Sequence, residues 1–350
     1  MSTWQDIKNN PRLKKIYDDR VAIIKLIREF FWSKDFTETD TPVAVKYPGQ
    51  EPYLNPVPVT IHDPNSRAEK FYLRTSPELA LKKLLATGYE RIFELGKCFR
   101  DCESFGGNHN TEFTMLEWYR APGVYGDFMD DMENLFKYVG EKLGVKILKY
   151  KDKEINFLEK WDRMSMKEVW QKFAGVNLDE CLDLESISLA AKNKGYEVSE
   201  ADLYEDVFFK VFLNEIEPKL GLERPLFVYD YPAQMTSLSR LCEHDPRYAE
   251  RVECYIGGLE MCNGFGELTD AKEQKKQLEK DMDLRAKLGK EVWPVDESFI
   301  SALDDLPAEA SGATAGVAMG VDRMVLLFTG AKDLNEVIFG AVKDQIEIRN

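Results

Sequence analysis

Glu117 is an acidic residue on a segment that otherwise has the pattern of a buried strand. Residues 111–120 alternate with a period of two, which places Phe113, Met115, Glu117 and Tyr119 on one face. Burying an unpaired carboxylate costs much free energy, so Glu117 needs a partner on that face. The segment therefore predicts a polar site on the surface of a sheet.

A pair of carboxylates lies on the segment 251–269, and the pattern of this segment predicts a hairpin. The glycines at 257–258 suit a two-residue turn. A turn that tight pairs Glu253 with Cys262 and makes Glu253 and Glu260 diagonal neighbours on one face. Two like charges in this arrangement call for a cation.

The same strand predicts an irregularity. Under simple alternation Glu260 and Asn263 face opposite ways. For both to serve one cleft the strand must bulge, and Gly264 is of the residue type that often marks a bulge. We therefore expect a bulge near Gly264.

The third segment with possible chemistry is Gly316–Arg323, which leads into the apolar helix Met324–Phe328. Its glycines allow the backbone to approach another group closely, and Arg323 opens the helix. Taken alone, this short pattern is compatible with a phosphate site or with a glycine-rich packing turn.

Regular elements must position these residues. Apolar residues at helical spacing predict a helix over 11–33, followed by a short extended segment from Phe36 to Pro42. Two strands, 92–100 and 111–120, are joined by the long loop 101–110.

The segment from Pro77 to Leu85 predicts another helix. Ser76 is its expected N-cap, and Glu78 lies in its first turn. A carboxylate there also favours the positive end of the helix.

Composition excludes several classes of protein. The chain has 350 residues and a net charge of −15, which argues against non-specific binding of nucleic acid. It has no apolar stretch near the roughly 20 residues of a membrane span and no secretory leader pattern, so we expect a cytoplasmic protein. Six cysteines without a Cys-x-x-Cys pair predict reduced, mostly buried thiols rather than a disulfide framework or a spaced zinc site.

Three segments together resemble the class II lysine-type aminoacyl-tRNA synthetases. Phe99-Arg100 with His109-Asn110 and Glu112–Tyr119 is similar to their motif 2, and Gly316–Arg323 to motif 3. Phe36–Pro42 and its preceding helix resemble motif 1, the dimer-forming element. The resemblance implies an α+β class II catalytic core, a mostly antiparallel sheet flanked by helices, and a homodimer formed through the motif 1 helix and strand.

The resemblance also implies residue roles. Arg100 would hold the α-phosphate of ATP, Arg323 the γ-phosphate, and Phe113 would stack on adenine. Glu253 and Glu260 would bind Mg²⁺, which prefers carboxylate and phosphate oxygens. The implied ATP site consists of Arg100, Glu103, His109, Asn110, Phe113, Glu260, Met261, Gly320 and Arg323, although His109 could equally be a solvated loop residue.

The implied amino-acid site places Glu78 at the amino group beside the reacting carboxylate. The remaining members are Ser76, Glu117, Tyr119, Asn263, Phe265 and Glu267. Carboxylates beside aromatic walls suit a cationic chain whose methylenes need apolar surface. The alternative is that Glu117 and Glu267 merely pair with arginine or lysine in the core.

Some positions depart from the family pattern. Cys102 stands where the motif 2 sequence usually has Glu, and Glu103 follows it, so the adenine-facing carboxylate is either shifted by one residue or lost. Thr111 replaces the usual Pro, and Gly266 replaces a His or Ser.

Domain organisation indicates which group within this family the chain resembles. Too few residues precede the helix predicted over 11–33 for the anticodon-binding barrel of lysyl-tRNA synthetases, so we expect that domain to be missing. We expect one domain over 1–350, with a mainly helical insertion at about 155–220. This organisation, and Ala318 where the synthetases usually have Gly, resembles the elongation factor P lysine ligases, which attach (R)-β-lysine or lysine to a lysine of elongation factor P.

Other functions remain open at this point. The chain could be a truncated synthetase that charges tRNA or another RNA, although its acidity makes tRNA binding unlikely. It could also be a regulatory paralogue that binds ATP without turnover, for which Cys102 is the support. An amidating enzyme acting on an acidic amino acid is disfavoured, because Glu117 and Glu267 would repel that substrate.

Overall fold

The computed structural model describes residues 4–104 and 107–347. An eight-stranded sheet forms the centre, in the order β1-β5-β6-β13-β12-β11-β10-β9. β1 pairs with β5 in parallel, and β10 pairs with β9 in parallel. All neighbouring strands between these two pairs are antiparallel. The predicted α+β class with a mostly antiparallel sheet is confirmed.

The strands of the large sheet are β1 (Thr37–Glu38), β5 (Arg91–Phe99), β6 (Glu112–Arg120), β9 (Asp162–Ser165), β10 (Leu226–Pro232), β11 (Tyr248–Ile256), β12 (Leu259–Gly266) and β13 (Ala315–Gly320). A three-stranded sheet contains β2 (Ala44–Val45), β3 (Val57–His62) and β4 (Ala68–Leu73), and a two-stranded sheet contains β7 (Leu148–Tyr150) and β8 (Lys153–Ile155).

The α-helices are α1 (Trp4–Asn9), α2 (Pro11–Trp32), α3 (Glu78–Leu85), α4 (Tyr125–Leu143), α5 (Met166–Ala174), α6 (Leu184–Asn193), α7 (Tyr204–Val211), α8 (Ala271–Lys287), α9 (Glu297–Asp304), α10 (Val321–Thr329) and α11 (Val342–Glu347). Short 3₁₀ segments occur at Leu178–Glu180, Glu217–Lys219, Ala233–Met235 and Leu334–Glu336, and a π-helical turn at Phe212–Ile216.

One face of the large sheet is covered by helices and the other carries a cleft. α4 contacts β6, β11, β12 and β13, and α2 packs on α4 and α10. Leu116 and Trp118 of β6 point into this helix-covered core and are fully buried. The alternate residues of β6 are left to face the cleft, as the period of two predicts.

Pairing across the sheet lines up one row of residues on the cleft side. Glu117 lies opposite Ala318, Ala318 opposite Asn263, and Asn263 opposite Glu253. On the other side Glu117 pairs with Glu94 of β5. Residues distant in the sequence are thereby brought side by side, because directly opposite residues of antiparallel strands point the same way.

The hairpin of β11 and β12 forms as predicted, but its register differs. Glu253 pairs with Asn263 rather than Cys262, because β12 accommodates an extra residue, Met261, between the pairs Cys254–Cys262 and Tyr255–Glu260. The predicted bulge is therefore present, but it lies next to the turn instead of near Gly264. It brings Glu260 onto the face of Glu253 and Asn263.

The predicted N-cap at Ser76 is wrong. α3 begins at Glu78, its N-cap position is Pro77, and no side chain caps it. Pro77 has φ −83° and ψ 0°, which lies outside the helical region. Ser76 lines the cleft instead.

Residues 155–220 contain the edge strand β9 and a group of helices with a core of their own. Trp170, Phe208 and Phe212 of this group pack together and against Tyr255 of the large sheet. Their description as an insertion stays a prediction. No helix within 4–104 and 107–347 is long and apolar enough to cross a bilayer.

Candidate active site

A cleft of about 260 Å³ lies on the open face of the large sheet. It is lined by every predicted site residue except Glu253, namely Ser76, Glu78, Arg100, Glu103, His109, Asn110, Phe113, Glu117, Tyr119, Glu260, Met261, Asn263, Phe265, Glu267, Gly320 and Arg323. The residues come from α3, three strands, the loop after β5 and the start of α10. The structure therefore brings the predicted residues together, while their roles stay predictions.

Two arginines lie at one end of the cleft. The Arg100 guanidinium lies 5.2 Å from the ring centre of Phe113, and its buried Nε has no hydrogen-bond partner among the described residues. Arg323 donates from Nη1 to the backbone carbonyl of Glu260 at 2.6 Å. Its Nη2 donates to the carbonyl of Asn108 at 3.4 Å. Arg100 has no ion pair among the described residues, and Arg323 has only a long one, 3.9 Å from Nη1 to Oε2 of Glu260, so both cations can still bind an anion.

The helix start that carries Arg323 is fixed by a buried ion pair. Asp322 lies 2.5 Å from Arg20 of α2, and its other oxygen accepts from the backbone N–H of Thr114 at 2.8 Å. Both charged side chains are buried. Asp322 therefore ties α10 to β6, so that Arg323 cannot shift independently of the strand carrying Phe113.

The unusual residue Cys102 turns the chain rather than facing the cleft. It is exposed and has φ +61°, in the left-handed region. Glu103 follows and lines the cleft, where its carboxylate lies 3.0 Å from Nδ1 of His109. Burial, together with the charges of Arg323 and Arg100, lowers the pKa of His109. This position of Glu103 fits a carboxylate shifted by one residue.

The other end of the cleft contains three carboxylates and one buried ammonium group. Lys82 of α3 places its Nζ 2.6 Å from Glu78 and 2.6 Å from Glu267. Burial alone would lower the pKa of Lys82, but the charges of Glu267 and Glu78 raise it. The alternative that Glu267 pairs with a core lysine is therefore realised, yet Oε1 of Glu267 has no hydrogen-bond partner in the described part of the chain.

Glu117 of β6 is buried beside this group. Its Oε1 accepts from the Tyr119 hydroxyl at 2.7 Å, while its buried Oε2 has no partner within the described residues. Burial and the charge of Glu78 raise the pKa of Glu117 well above its usual value. Burial raises that of Glu267 to about 8, against the opposing effect of Lys82.

When all are ionised, the three carboxylates and the one ammonium group together have a net charge of −2. The raised pKa values of Glu117 and Glu267 mean that burial disfavours ionisation of both carboxyls when no further cation is present. Aromatic walls come from Tyr119 and Phe265. The pocket therefore suits a molecule with two ammonium groups and an apolar chain.

Only one of the two carboxylates predicted to bind the metal lines the cleft. Glu260 lines the cleft, and burial and the charge of Glu253 raise its pKa. Glu253 lies behind it with both oxygens occupied: Arg251 donates to Oε1 at 2.7 Å, and the hydroxyls of Tyr231 and Tyr255 donate to Oε2. Glu260 is therefore the carboxylate of this pair that is free to bind a cation.

Sequence reasoning missed several residues in and around the cleft, among them Lys82, Leu238 and Glu51. Lys82 is one of two adjacent lysines in the sequence of this helix. Only its position one turn after Glu78, on the same face, could have suggested a role. Leu238 and Glu51 come from irregular segments and also line the cleft. The pKa of Glu51 is raised by burial and by the charge of Glu78.

Comparison with known proteins agrees with this geometry. The family of tRNA synthetases class II (D, K and N) matches residues 2–341. A lysine–tRNA ligase of Campylobacter jejuni is 36% identical over 337 residues, which are 96% of this chain and 65% of that protein. A lysine–tRNA ligase of Carboxydothermus hydrogenoformans is 35% identical over 340 residues, covering 96% and 67%.

A third relative is matched along most of its own length. The elongation factor P–(R)-β-lysine ligase of Proteus mirabilis is 34% identical over 343 residues, which are 97% of each chain. By contrast, this chain spans 65% of the length of the Campylobacter lysine–tRNA ligase. Identity alone does not separate the two kinds of relative.

Proposed function

The chain belongs to the class II tRNA synthetase family of the D, K and N type, and on that basis we propose that it activates (R)-β-lysine or lysine with ATP and transfers it to a lysine of elongation factor P. The observation that carries the amino-acid half is the pocket of Glu78, Glu117 and Glu267, in which Lys82 is the ammonium group that pairs with Glu78 and Glu267 among the described residues. Lysine and β-lysine each bring two ammonium groups. These positive charges would favour ionisation of the buried carboxyls whose pKa is raised.

The first step would join the substrate carboxylate to the α-phosphorus of ATP. A carboxylate oxygen attacks the phosphorus, the bond to the bridging oxygen breaks, and pyrophosphate leaves. Catalysis of such a step consists mainly of aligning two anions and neutralising charge. Arg100 would hold the α-phosphate and Arg323 the γ-phosphate, while Phe113 would support the adenine ring.

A divalent cation fits the cleft beside these groups. Glu260 presents a carboxylate with a raised pKa, which an added cation would lower again. Mg²⁺ typically binds one or two carboxylates together with phosphate oxygens. When bound there, it would neutralise charge on the phosphates of ATP, with Glu253 supporting Glu260 from behind.

The second step would transfer the aminoacyl group to an amine. The acceptor amine attacks the carbonyl carbon of the adenylate, the bond to phosphate oxygen breaks, AMP leaves, and the amine loses a proton. A wider groove adjoins the cleft and shares Arg100, Glu260 and Phe265 with it. Its wall also carries Glu205 and Asp206, which favour a basic acceptor segment.

The remaining predictions concern assembly and location. A homodimer through α2 and β1 is supported by the position of β1 at the edge of the large sheet and by the exposed Val21 and Trp32 on α2. Cytoplasmic location stays a prediction.

The decisive experiment incubates the enzyme with ATP, Mg²⁺, elongation factor P and either (R)-β-lysine or lysine, and then determines the intact mass of the factor. We expect a gain of one aminoacyl group. The gain should be lost with Arg323→Ala enzyme and with a factor whose acceptor lysine is replaced by arginine. An unchanged mass despite amino-acid-dependent ATP–pyrophosphate exchange would rule out this acceptor.

The second candidate is aminoacylation of tRNA, favoured by the 36% identity to a lysine–tRNA ligase. Incubation with total tRNA and labelled lysine decides between the two acceptors. If neither pyrophosphate exchange nor transfer occurred with either isomer, the chain would instead be a non-catalytic paralogue.

A further inference from the structure

Three potential metal ligands converge outside the cleft, on the edge of β10 and the segment that follows it. Sγ of Cys242 lies 3.3 Å from Oδ1 of Asp230. Nε2 of His244 lies 3.1 Å from Oδ2 of Asp230. One atom from each of the three residues lies within 4.8 Å of both others.

The backbone holds this cluster in a defined shape. Asp230 has φ +60°, a left-handed conformation that is uncommon outside glycine, at the point where the register between β10 and β11 shifts. Cys242 is anchored by its backbone N–H, which donates to the carbonyl of Tyr248 at 2.9 Å. Asp230 and Cys242 are buried, whereas the His244 side chain is 64% exposed.

We propose that Asp230, Cys242 and His244 bind a divalent transition-metal ion of the zinc type, through one carboxylate oxygen, the thiolate and the imidazole Nε2. A water molecule would complete a four-coordinate site. This inference does not depend on the proposed reaction.

The chemistry and spacing of the ligands fit such an ion. Cys, His and Asp are the three residue types that bind zinc, with bonds of about 2.0–2.3 Å, so tetrahedral ligand atoms lie about 3.3–3.7 Å apart. The two measured separations, 3.3 Å from Sγ to Oδ1 and 3.1 Å from Nε2 to Oδ2, end on different oxygens of the Asp230 carboxylate, and with one oxygen chosen all three ligand atoms lie within 4.8 Å of one another. The exposed imidazole gives the ion an entry path, and the thiol proton would leave to solvent on binding.

Tyr125 would support the site from behind. Its hydroxyl lies 3.4 Å from Oδ1 of Asp230. Partners that orient a ligating carboxylate commonly strengthen metal binding. A linear scan for zinc spacing misses this site because two ligands lie in one segment and the third lies twelve residues earlier in a different element.

The site would have a structural consequence for the cleft. Residues 238–242 run between the end of β12 and the start of β11: Ser239 bridges to Glu267, just after β12, and Leu241 bridges to Ala249 of β11. Leu238 lines the cleft itself. A metal at Cys242 would therefore fix the segment that packs against the amino-acid pocket.

The test is a titration of chelator-treated enzyme with Co²⁺, which reports thiolate ligation through a near-ultraviolet charge-transfer band and tetrahedral geometry through its visible bands. We expect saturation at one equivalent and displacement by Zn²⁺. Cys242→Ser should lose the charge-transfer band, and His244→Gln should weaken binding at least tenfold. The matched controls Cys102→Ser and His62→Gln replace an exposed cysteine and an exposed histidine elsewhere, and should bind like the unaltered enzyme.

Thermal unfolding provides a second readout, because an ion that binds only the folded state raises the melting temperature. Zn²⁺ should stabilise the unaltered enzyme and the two controls but not His244→Gln, whose exposed side chain makes the substitution safe for folding. The proposal is overturned if the unaltered enzyme gives no charge-transfer band, or if folded Cys242→Ser or His244→Gln binds as tightly as the controls. In either case the three side chains are joined by hydrogen bonds alone.

Discussion

The ammonium nitrogen of Lys82 lies 2.6 Å from a carboxylate oxygen of Glu267 and equally close to Glu78. One buried cation thus joins α3 to the end of β12 at the base of the amino-acid pocket. This relationship leaves the pocket with an excess of acidic groups, and it leads to the first prediction.

Replacing Lys82 by methionine should destabilise the fold. Removing one partner of a buried ion pair typically costs about 3–5 kcal/mol, because the remaining charges lose their compensation. Denaturant unfolding above pH 8, where the Glu267 carboxyl is ionised, measures the change. Lys83→Met is the matched control, since the neighbouring Lys83 pairs with Asp296 nearer the surface and should change stability by less than about 1 kcal/mol. Equal losses in the two variants would contradict a structural role for Lys82.

Substituting either cleft arginine should impair adenylation. Arg100→Ala and Arg323→Ala each remove a cation aimed at the developing phosphate charge, and loss of one such group lowers rates by roughly 100- to 1,000-fold. Amino-acid-dependent ATP–pyrophosphate exchange measures the effect. Arg91→Ala is the control. Arg91 is exposed at the start of β5, whose other end leads into Arg100, and its substitution should leave the rate unchanged. Normal exchange in Arg323→Ala would refute the phosphate assignment.

Binding of the amino acid should strengthen as pH rises from about 6.5 to 8. Burial raises the pKa of Glu267 to about 8, so below that pH the carboxyl is mostly protonated and cannot pair with a substrate ammonium group. Ionisation of this one group predicts a fall of roughly tenfold in the KM for lysine over that interval. Exchange assays at constant ionic strength test it, and a KM that does not fall over this interval would show that Glu267 is already ionised.

Glu260→Gln should raise the Mg²⁺ concentration needed for half-maximal exchange by at least roughly tenfold, because an amide supplies no negative charge to the cation. A titration of activity with Mg²⁺ at saturating ATP provides the measurement. Glu112→Gln, an exposed carboxylate on β6, is the control and should show the original Mg²⁺ dependence. An unchanged requirement in both variants would remove Glu260 from the cation site.

Ala318→Gly should shift the preference between the two lysine isomers towards lysine. Ala318 lies between Glu117 and Asn263 in the row across the sheet, so loss of its methyl group widens the cleft there. One methylene group in a pocket changes discrimination by about 1–3 kcal/mol. The ratio of kcat/KM values for the two isomers is the readout. Ala315→Gly, buried on the same strand but away from the cleft, should keep the original ratio.

The sequence alone was sufficient to predict the α+β class, the two central hairpins and more than half of the residues that line the cleft. These features depend on local patterns. Alternation with a period of two decides which side of β6 carries Glu117, and a glycine pair decides where β11 turns into β12.

Only the tertiary structure decided how these elements meet. It moved the bulge of β12 to Met261 and thereby paired Glu253 with Asn263, and it brought Lys82 between Glu78 and Glu267. It also gathered Asp230, Cys242 and His244 into one cluster. Strand register and long-range ion pairs depend on packing between distant segments, and no local pattern of residue types contains that information.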